Sequence, residues 1–500
     1  MHARVELRVG DVIGRNARAL PGRRAASLAG RSLSHGELGS AADRVGAALR
    51  ARGVARGARV LAFADTSLEV LVLFAGLAKL GAVFAPLDAR LGQGEAATLA
   101  EVARPHWIVA DAARADAAQA VAVATGAQLA ALGRLDAAER GSLLAHGPGA
   151  REIEEPELRE TDPHVMFFTS GSTGRPKAVV LSHRASYLRS FHGVFRDEPE
   201  RSVCMFPLFH MAGFTLALSA WQTGGEIALV EEARAEALLE AVQRTRANRL
   251  YCIPSVWHRI LAADASRFDT SSLRAVDTGT SATPPELILA LKQRFPGAAT
   301  RVYYGSTEVG SATALSDADV LRKPGSVGLP SPGVDVELDA KGEICVRSAY
   351  LFDGYFEDPD ATAAALQGGW FHTGDLGERD GEGYLSVTGR IKDVIRTGGE
   401  SVAPAEVEAA LARHPDVAEI AVVGVPDPQW GEIVCAVVVP AAGATPTLAA
   451  LQRHCEGCLA AFKKPRRLEL VGALPRTSAT GQVQRALLVQ RLAAPRAEGA

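Results

Sequence analysis

The chain has no apolar run long enough to cross a membrane. Its most apolar stretch, Leu68–Leu87, is broken by Glu69 and Lys79 and contains Gly76 and Gly81, so it reads as a buried helix followed by a strand. A secretory pattern is missing too, since Met1–Gly14 alternates charge with apolar residues. There is no excess of one charge. A formal net charge of -3 gives no field that would recruit nucleic acid or an anionic membrane. Cysteine is scarce, with six residues, and only Cys455 and Cys458 stand close together, beside His454. A zinc site needs about four ligands, and no second pair lies at a suitable spacing. The cysteines therefore read as free thiols of a reducing, cytoplasmic compartment.

What is present is a long chain with ordinary globular composition. Its 500 residues exceed one small core, so two or more domains are expected. The first part alternates helical and extended patterns. Ser34–Gly53 places Leu38, Ala42, Val45, Ala48 and Leu49 at helical spacing, and Arg59–Ala64 and Ala82–Leu87 read as buried strands. Asp111–Arg140 reads as a helical surface segment. A second alternating stretch follows, with strands expected at Glu226–Val230, Arg249–Ile253, Leu273–Asp277 and Arg301–Tyr304. Helices are expected between them at Ala233–Thr245, Pro254–Ala263 and Pro284–Phe295. From Val334 the pattern turns to short strands. The last hundred or so residues resemble a separate α+β unit, with helices expected at Ala403–Ala412 and Leu448–Ala461. The expectation is an α/β fold in which layered α/β subdomains and a β-subdomain make a large N-terminal domain, 1–391. A small mobile α+β domain, 392–500, follows.

The chemistry concentrates at Thr169–Lys177, where an apolar strand runs into Thr169-Ser170-Gly171-Ser172-Thr173-Gly174 and then Lys177. Glycines let backbone N–H groups converge on one point, hydroxyls add donors, and the lysine adds positive charge. A triphosphate suits such a nest. It is not a Walker loop, because only Ser172 and Thr173 separate the glycines and no Lys-Ser/Thr pair follows the second.

This segment resembles the phosphate-binding signature of the ANL superfamily: acyl-CoA synthetases, adenylation domains and luciferases. Further matches follow in the family's order over nearly the whole chain. Phe206–Gly213 is similar to the segment bordering the acyl pocket, and Tyr303–Glu308 to the segment holding AMP and magnesium. Trp370–Asp375 resembles the ribose-binding segment, Gly389–Asp393 the hinge, and Pro475–Arg485 the last motif. The resemblance implies that ATP and a carboxylate give acyl-AMP and pyrophosphate, after which a thiol, usually of CoA, takes the acyl group. Within it, Glu308 is the expected Mg²⁺ ligand and Thr307 the donor to the α-phosphate. Tyr304 and Gly305 face the nucleotide, Asp375 accepts from the ribose hydroxyls, and Arg390 sits on the ribose or phosphate side. Lys392 is the hinge, and Gly398 and Gly399 give the pantetheine arm room. His210, Phe214, Trp257 and Gly279 are expected on the substrate side, for a fatty or other mainly apolar acid. A carrier protein in place of CoA stays open as the acceptor, and the oligomeric state is not fixed.

The pattern breaks once. Where the family has lysine after the glycine of its last motif, this chain has Gly481-Gln482. In the family that lysine bridges the carboxylate and the α-phosphate. Glutamine can hydrogen-bond but brings no charge. Three readings stay open: an engineered substitution, a natural variant with slow adenylation, or a binding protein that does not turn over.

Overall fold

A computed structural model describes residues 5–136, 141–144, 151–170, 176–191, 198–264, 267–477 and 481–493. The fold is mixed α/β, and the chain divides into two compact units. The first comprises Met1–Gly325, Pro330–Asp335 and Arg347–Phe371; the second comprises Ser326–Leu329, Val336–Val346 and His372–Ala500. This division by packing falls earlier in the chain than Lys392, because most of strand Trp370–Arg379 and all of Leu385–Arg390 belong to the second unit.

Local sequence explains the helices of the first unit. His35–Ala51 begins at a capping box, with the Ser34 hydroxyl accepting from the Glu37 amide and the Glu37 carboxylate accepting from the Ser34 amide. Leu68–Leu80 is buried along its whole length, with its two charged residues paired, Glu69 to Arg31 and Lys79 to Asp43. Gly81, at φ +75°, ends it and releases strand Val83–Pro86.

Two sheets build this unit. One is seven-stranded, in the order Gly354–Tyr355, Pro176–Ser182, Pro163–Ser170, Val83–Pro86, Arg59–Phe63, Trp107–Ala110 and Gln128–Ala131. The other runs Gly310–Leu315, Ala299–Ser306, Ala275–Gly279, Arg249–Tyr251, Arg201–Cys204, Glu226–Leu229, Arg24–Leu28 and Arg31–Ser34. Pairing from Ala299–Ser306 across to Arg24–Leu28 is parallel, as expected where helices alternate with fully apolar strands.

In the second unit, Val417–Asp427 and Gly431–Pro440 form a long antiparallel pair, and Arg467–Leu470 adds to it in parallel. Its core joins Val402, Val407, Leu411, Val422, Val434 and Leu451.

Two expected helices are shorter than their sequences suggest. The Asp111–Arg140 segment is helical at Ala115–Thr125, then forms edge strand Gln128–Ala131 after Gly126 turns at φ +72°. The expected helix Leu448–Ala461 spans only Leu448–His454, and Gly457 follows at φ +81°. Among the described residues no helix is long and apolar enough to cross a membrane.

Candidate functional site

Strands Pro163–Ser170 and Pro176–Ser182 pair antiparallel, with Thr169 opposite Lys177 and Ser170 opposite Pro176. The pairing thus sets Thr169 and Lys177 opposite each other at the two ends of the glycine-rich segment. Gly171, Ser172, Thr173 and Gly174 lie outside the described residues, as does the Ser170 side chain.

On the far side of Pro176–Ser182, strand Gly354–Tyr355 pairs Tyr355 with Val179. This brings the Tyr355 ring under Lys177, whose ammonium sits 4.5 Å from the ring centroid. The Tyr355 hydroxyl then donates to Glu308 Oε1 at 3.2 Å, while Ser306 Oγ donates to Glu308 Oε2 at 2.8 Å. A cation and a carboxylate therefore flank one phenol. Both oxygens of Glu308 are met by neutral hydroxyls, so its negative charge is not cancelled by these contacts. A hard cation with phosphate oxygens completing its shell fits that donor set.

The backbone under Thr307 and Glu308 is held by Arg189, at the end of helix His183–Ser190 and only 5% exposed. Its guanidinium donates to the carbonyls of Thr307 (2.9 Å), Glu308 (3.5 Å) and Tyr350 (2.6 Å). Burial lowers its pKa to about 10, which leaves it charged at neutral pH. The Glu308 carbonyl also accepts from Phe352 N–H at 2.8 Å. Sequence reasoning missed both Arg189 and Tyr355. An arginine at the end of a short helix carries no local signal of a partner more than a hundred residues away.

Gly305 and Gly279 are set by close approach. A Cβ at Gly305 would lie 1.8 Å from the Gly310 carbonyl across the antiparallel pair. One at Gly279, φ +153°, would lie 2.2 Å from the Tyr303 carbonyl and 2.9 Å from the Tyr251 hydroxyl. Tyr304 is half-buried on strand Ala299–Ser306, opposite Thr313.

His210 caps helix Met211–Gln222, its Nδ1 accepting from Ala212 N–H at 3.2 Å. Its ring stacks on Phe206 at 5.3 Å, and burial lowers its pKa to about 4. Phe206 meets Tyr251 edge-on at 5.4 Å, and Tyr251 lies 5.9 Å from Tyr303. These four rings form one run. Phe214 and Trp257 do not join it. Phe214 stacks on Phe74 at 4.5 Å and lines a cavity of about 10 Å³, room for roughly one water. Trp257 is fully buried, donates Nε1–H to the Asp277 carbonyl and packs on Phe295. Both are buried against other rings, Phe214 meeting Phe84 and Phe167 of the seven-stranded sheet as well as Phe74.

In the second unit, Asp375 and Arg390 face each other across paired strands and form an ion pair at 2.9 Å. Lys392 is exposed in a single turn, Ile391–Asp393. Gly398 and Gly399 adopt φ +59° and +86°, and a Cβ on Gly398 would reach within 2.8 Å of the Trp430 ring. Gln482 is tied to Thr477 in both directions, with the Thr477 amide on the Gln482 carbonyl at 2.8 Å and the Gln482 amide on Thr477 Oγ1 at 3.1 Å.

Comparison with known proteins places this arrangement. Residues 13–356 match the family model of the AMP-binding enzymes, and residues 406–480 match that of the AMP-binding enzyme C-terminal domain. The indoleacetate–CoA ligase of Aromatoleum aromaticum is 35% identical, covering 96% of this chain and 97% of its own. A feruloyl-CoA synthase of Amycolatopsis is 34% identical, covering 94% and 96%. Among solved structures, ATP-bound MatB from Rhodopseudomonas palustris superposes with a TM-score of 0.88 at 30% identity, covering 97% and 99%. A family model spanning most of the large unit, relatives aligned over nearly their full length and the shared fold agree, and the chain belongs to the AMP-binding, adenylate-forming enzymes of the ANL superfamily.

Proposed function

We propose that this protein is an AMP-forming acid–thiol ligase that activates a mainly apolar carboxylic acid and transfers it to coenzyme A. The observation that carries the reading is the Lys177–Tyr355–Glu308 arrangement beside the glycine-rich turn. Within the apolar acids an aromatic one is favoured, by the run of Phe206, His210, Tyr251 and Tyr303 and by the indoleacetate and ferulate named for relatives.

In the first half-reaction a carboxylate oxygen attacks the α-phosphorus of ATP. The bond from that phosphorus to the bridging oxygen breaks, and pyrophosphate leaves. Catalysis of this kind depends on position and charge compensation. Thr169, Lys177 and the intervening turn (Ser170, Gly171, Ser172, Thr173, Gly174) hold the phosphates, Thr307 donates to the α-phosphate, and Tyr304 stacks on adenine above Gly305. Glu308 is the Mg²⁺ ligand; the ion, when bound, neutralises phosphate charge and polarises the phosphorus. Arg189 keeps Thr307 and Glu308 aimed by fixing their carbonyls. Asp375 and Arg390 hold the ribose side.

In the second half-reaction the thiol sulfur attacks the acyl carbon, its proton passes to solvent, and AMP departs with the electrons of the C–O bond. Lys392 is the pivot for residues 392–500, and Gly398 and Gly399 admit the pantetheine arm. Gln482 slows the first half-reaction and spares the second.

The test is pyrophosphate release from wild type and Gln482→Lys across a panel containing indoleacetate, ferulate and palmitate, followed by thioester formation with CoA. Release with an aromatic acid and a CoA thioester product is expected. No release by either form with any acid overturns the reading.

A further inference from the structure

A cluster in the second unit belongs to none of the steps above. Glu343 and Cys345 stand two residues apart on strand Glu343–Ser348, so their side chains leave the same face of the sheet. His372 comes from the neighbouring strand Trp370–Arg379. His372 Nδ1 lies 2.9 Å from Glu343 Oε2 and 3.6 Å from Cys345 Sγ. One nitrogen, one sulfur and one carboxylate oxygen thus lie within 4.8 Å of one another, the one such group of three among the described residues.

The spacing can be set against a tetrahedral zinc ion. With Zn–S about 2.3 Å and Zn–N about 2.05 Å, the sulfur–nitrogen edge is about 3.6 Å. That equals the Cys345–His372 separation. The nitrogen–oxygen edge is about 3.4 Å, so Glu343 and His372 must part by about half an ångström as the ion replaces their hydrogen bond. The other carboxylate oxygen is already occupied, since Gly374 N–H donates to Glu343 Oε1 at 2.8 Å. A ligand carboxylate fixed through its second oxygen is a usual support of metal sites. His372 and Glu343 keep 26% and 13% of their side chains exposed, so the group is reachable from solvent. Three protein ligands leave a fourth position for water.

We propose that Glu343, Cys345 and His372 form a binding site for one thiophilic divalent cation of the Zn²⁺ and Cd²⁺ class. On binding, the Cys345 thiol loses its proton to solvent and coordinates as thiolate. None of the three residues is given a role in the reaction above. The site differs in kind from the hard-cation ligand Glu308, because a sulfur ligand selects against Mg²⁺.

The test uses the full chain, stripped of metal with chelator, in a Cys458→Ser background that removes the one exposed thiol. CdCl₂ is titrated while the ultraviolet thiolate-to-Cd²⁺ charge-transfer band is read. The expected result is a band saturating at one equivalent, displaced by Zn²⁺ and unaffected by excess Mg²⁺. Cys345→Ser abolishes it, and His372→Gln weakens the affinity by more than about tenfold. Circular dichroism checks that each variant is folded. If Cys345→Ser does not fold, His372→Gln decides: weakened binding supports the site and an unchanged titration overturns it. No band in the parent, or a band that persists in folded Cys345→Ser, also overturns it.

Discussion

On the proposed reading Gln482 offers a neutral amide where a lysine's charge would face the α-phosphate, and its backbone is tied to Thr477 through both its amide and its carbonyl. Loss of one preorganised donor to a developing charge costs about 3–4 kcal/mol, or about 10²–10³ in rate, and loss of a full charge no less. Gln482→Lys is therefore expected to raise the rate of pyrophosphate release by about 10²–10³. Thioester formation from supplied acyl-AMP should stay within about twofold, because that step leaves the α-phosphate unattacked. Equal gains in both half-reactions would show that residue 482 acts through folding instead. Arg189 is a residue of another sort, donating its hydrogen bonds to main-chain carbonyls. Replacing it with methionine leaves the Thr307 and Tyr350 carbonyls short of a donor inside the protein, at about 1–3 kcal/mol each. Arg189→Met should lower the melting temperature and raise the Mg²⁺ concentration needed for half-maximal rate. Arg189→Lys, which keeps the charge and part of the bonding, should recover some of the Mg²⁺ response. An unchanged Mg²⁺ dependence in a folded Arg189→Met would reduce the residue to a structural one.

At the scale of elements, the strand Ala299–Ser306 depends on a glycine pressed against its partner. A methyl at Gly305 would overlap the Gly310 carbonyl, so Gly305→Ala must separate the two strands and move Thr307 and Glu308. Overpacking of this kind costs about 1–3 kcal/mol. Nucleotide affinity, read by titration calorimetry with AMP, should fall more than stability does. The order of elements was largely legible before the structure, because buried parallel strands and their covering helices leave long apolar runs punctuated by glycine. Leu68–Leu80 with Gly81 shows this well. Where a run continued helix-compatible residues past a glycine, as at Gly126 and Gly457, composition could not show that the backbone turns there at positive φ. The candidate site was legible as motifs, and Thr169, Lys177 and Glu308 were all named from them. Tyr355 and Arg189 were not, since their contacts join segments far apart in sequence through one hydroxyl and a few carbonyls. Phe214 and Trp257 were named for the substrate side, and the structure packs each against another aromatic ring. Large apolar side chains look alike in sequence whether they line a cavity or fill a core.

At the scale of the molecule, the first unit holds histidines whose protonation burial opposes. His164 and His183 are buried with ring centroids 4.5 Å apart, and neither Nε2 has a hydrogen-bond partner. Burial lowers the pKa of both, His183 to about 3, and lowers that of His210 to about 4. In the unfolded chain each titrates near about 6.5. Between that value and about pH 4 the unfolded state binds protons that the folded unit refuses, so stability falls as the pH falls. Each such group contributes a slope of about 1.4 kcal/mol per pH unit, and three together about 4. Their full contribution is present above about pH 6.5 and is lost on acidification toward the lowered values. Urea unfolding of the chain at pH 7.5, 6.5 and 5.5, followed by a probe in the first unit, should show its midpoint dropping steeply over the last step. His183→Gln removes one of the titrating groups, and its midpoint should depend less on pH even if the variant is weaker at neutral pH. A midpoint flat from pH 7.5 to 5.5 in the parent would mean that the pair opens to water before the unit unfolds.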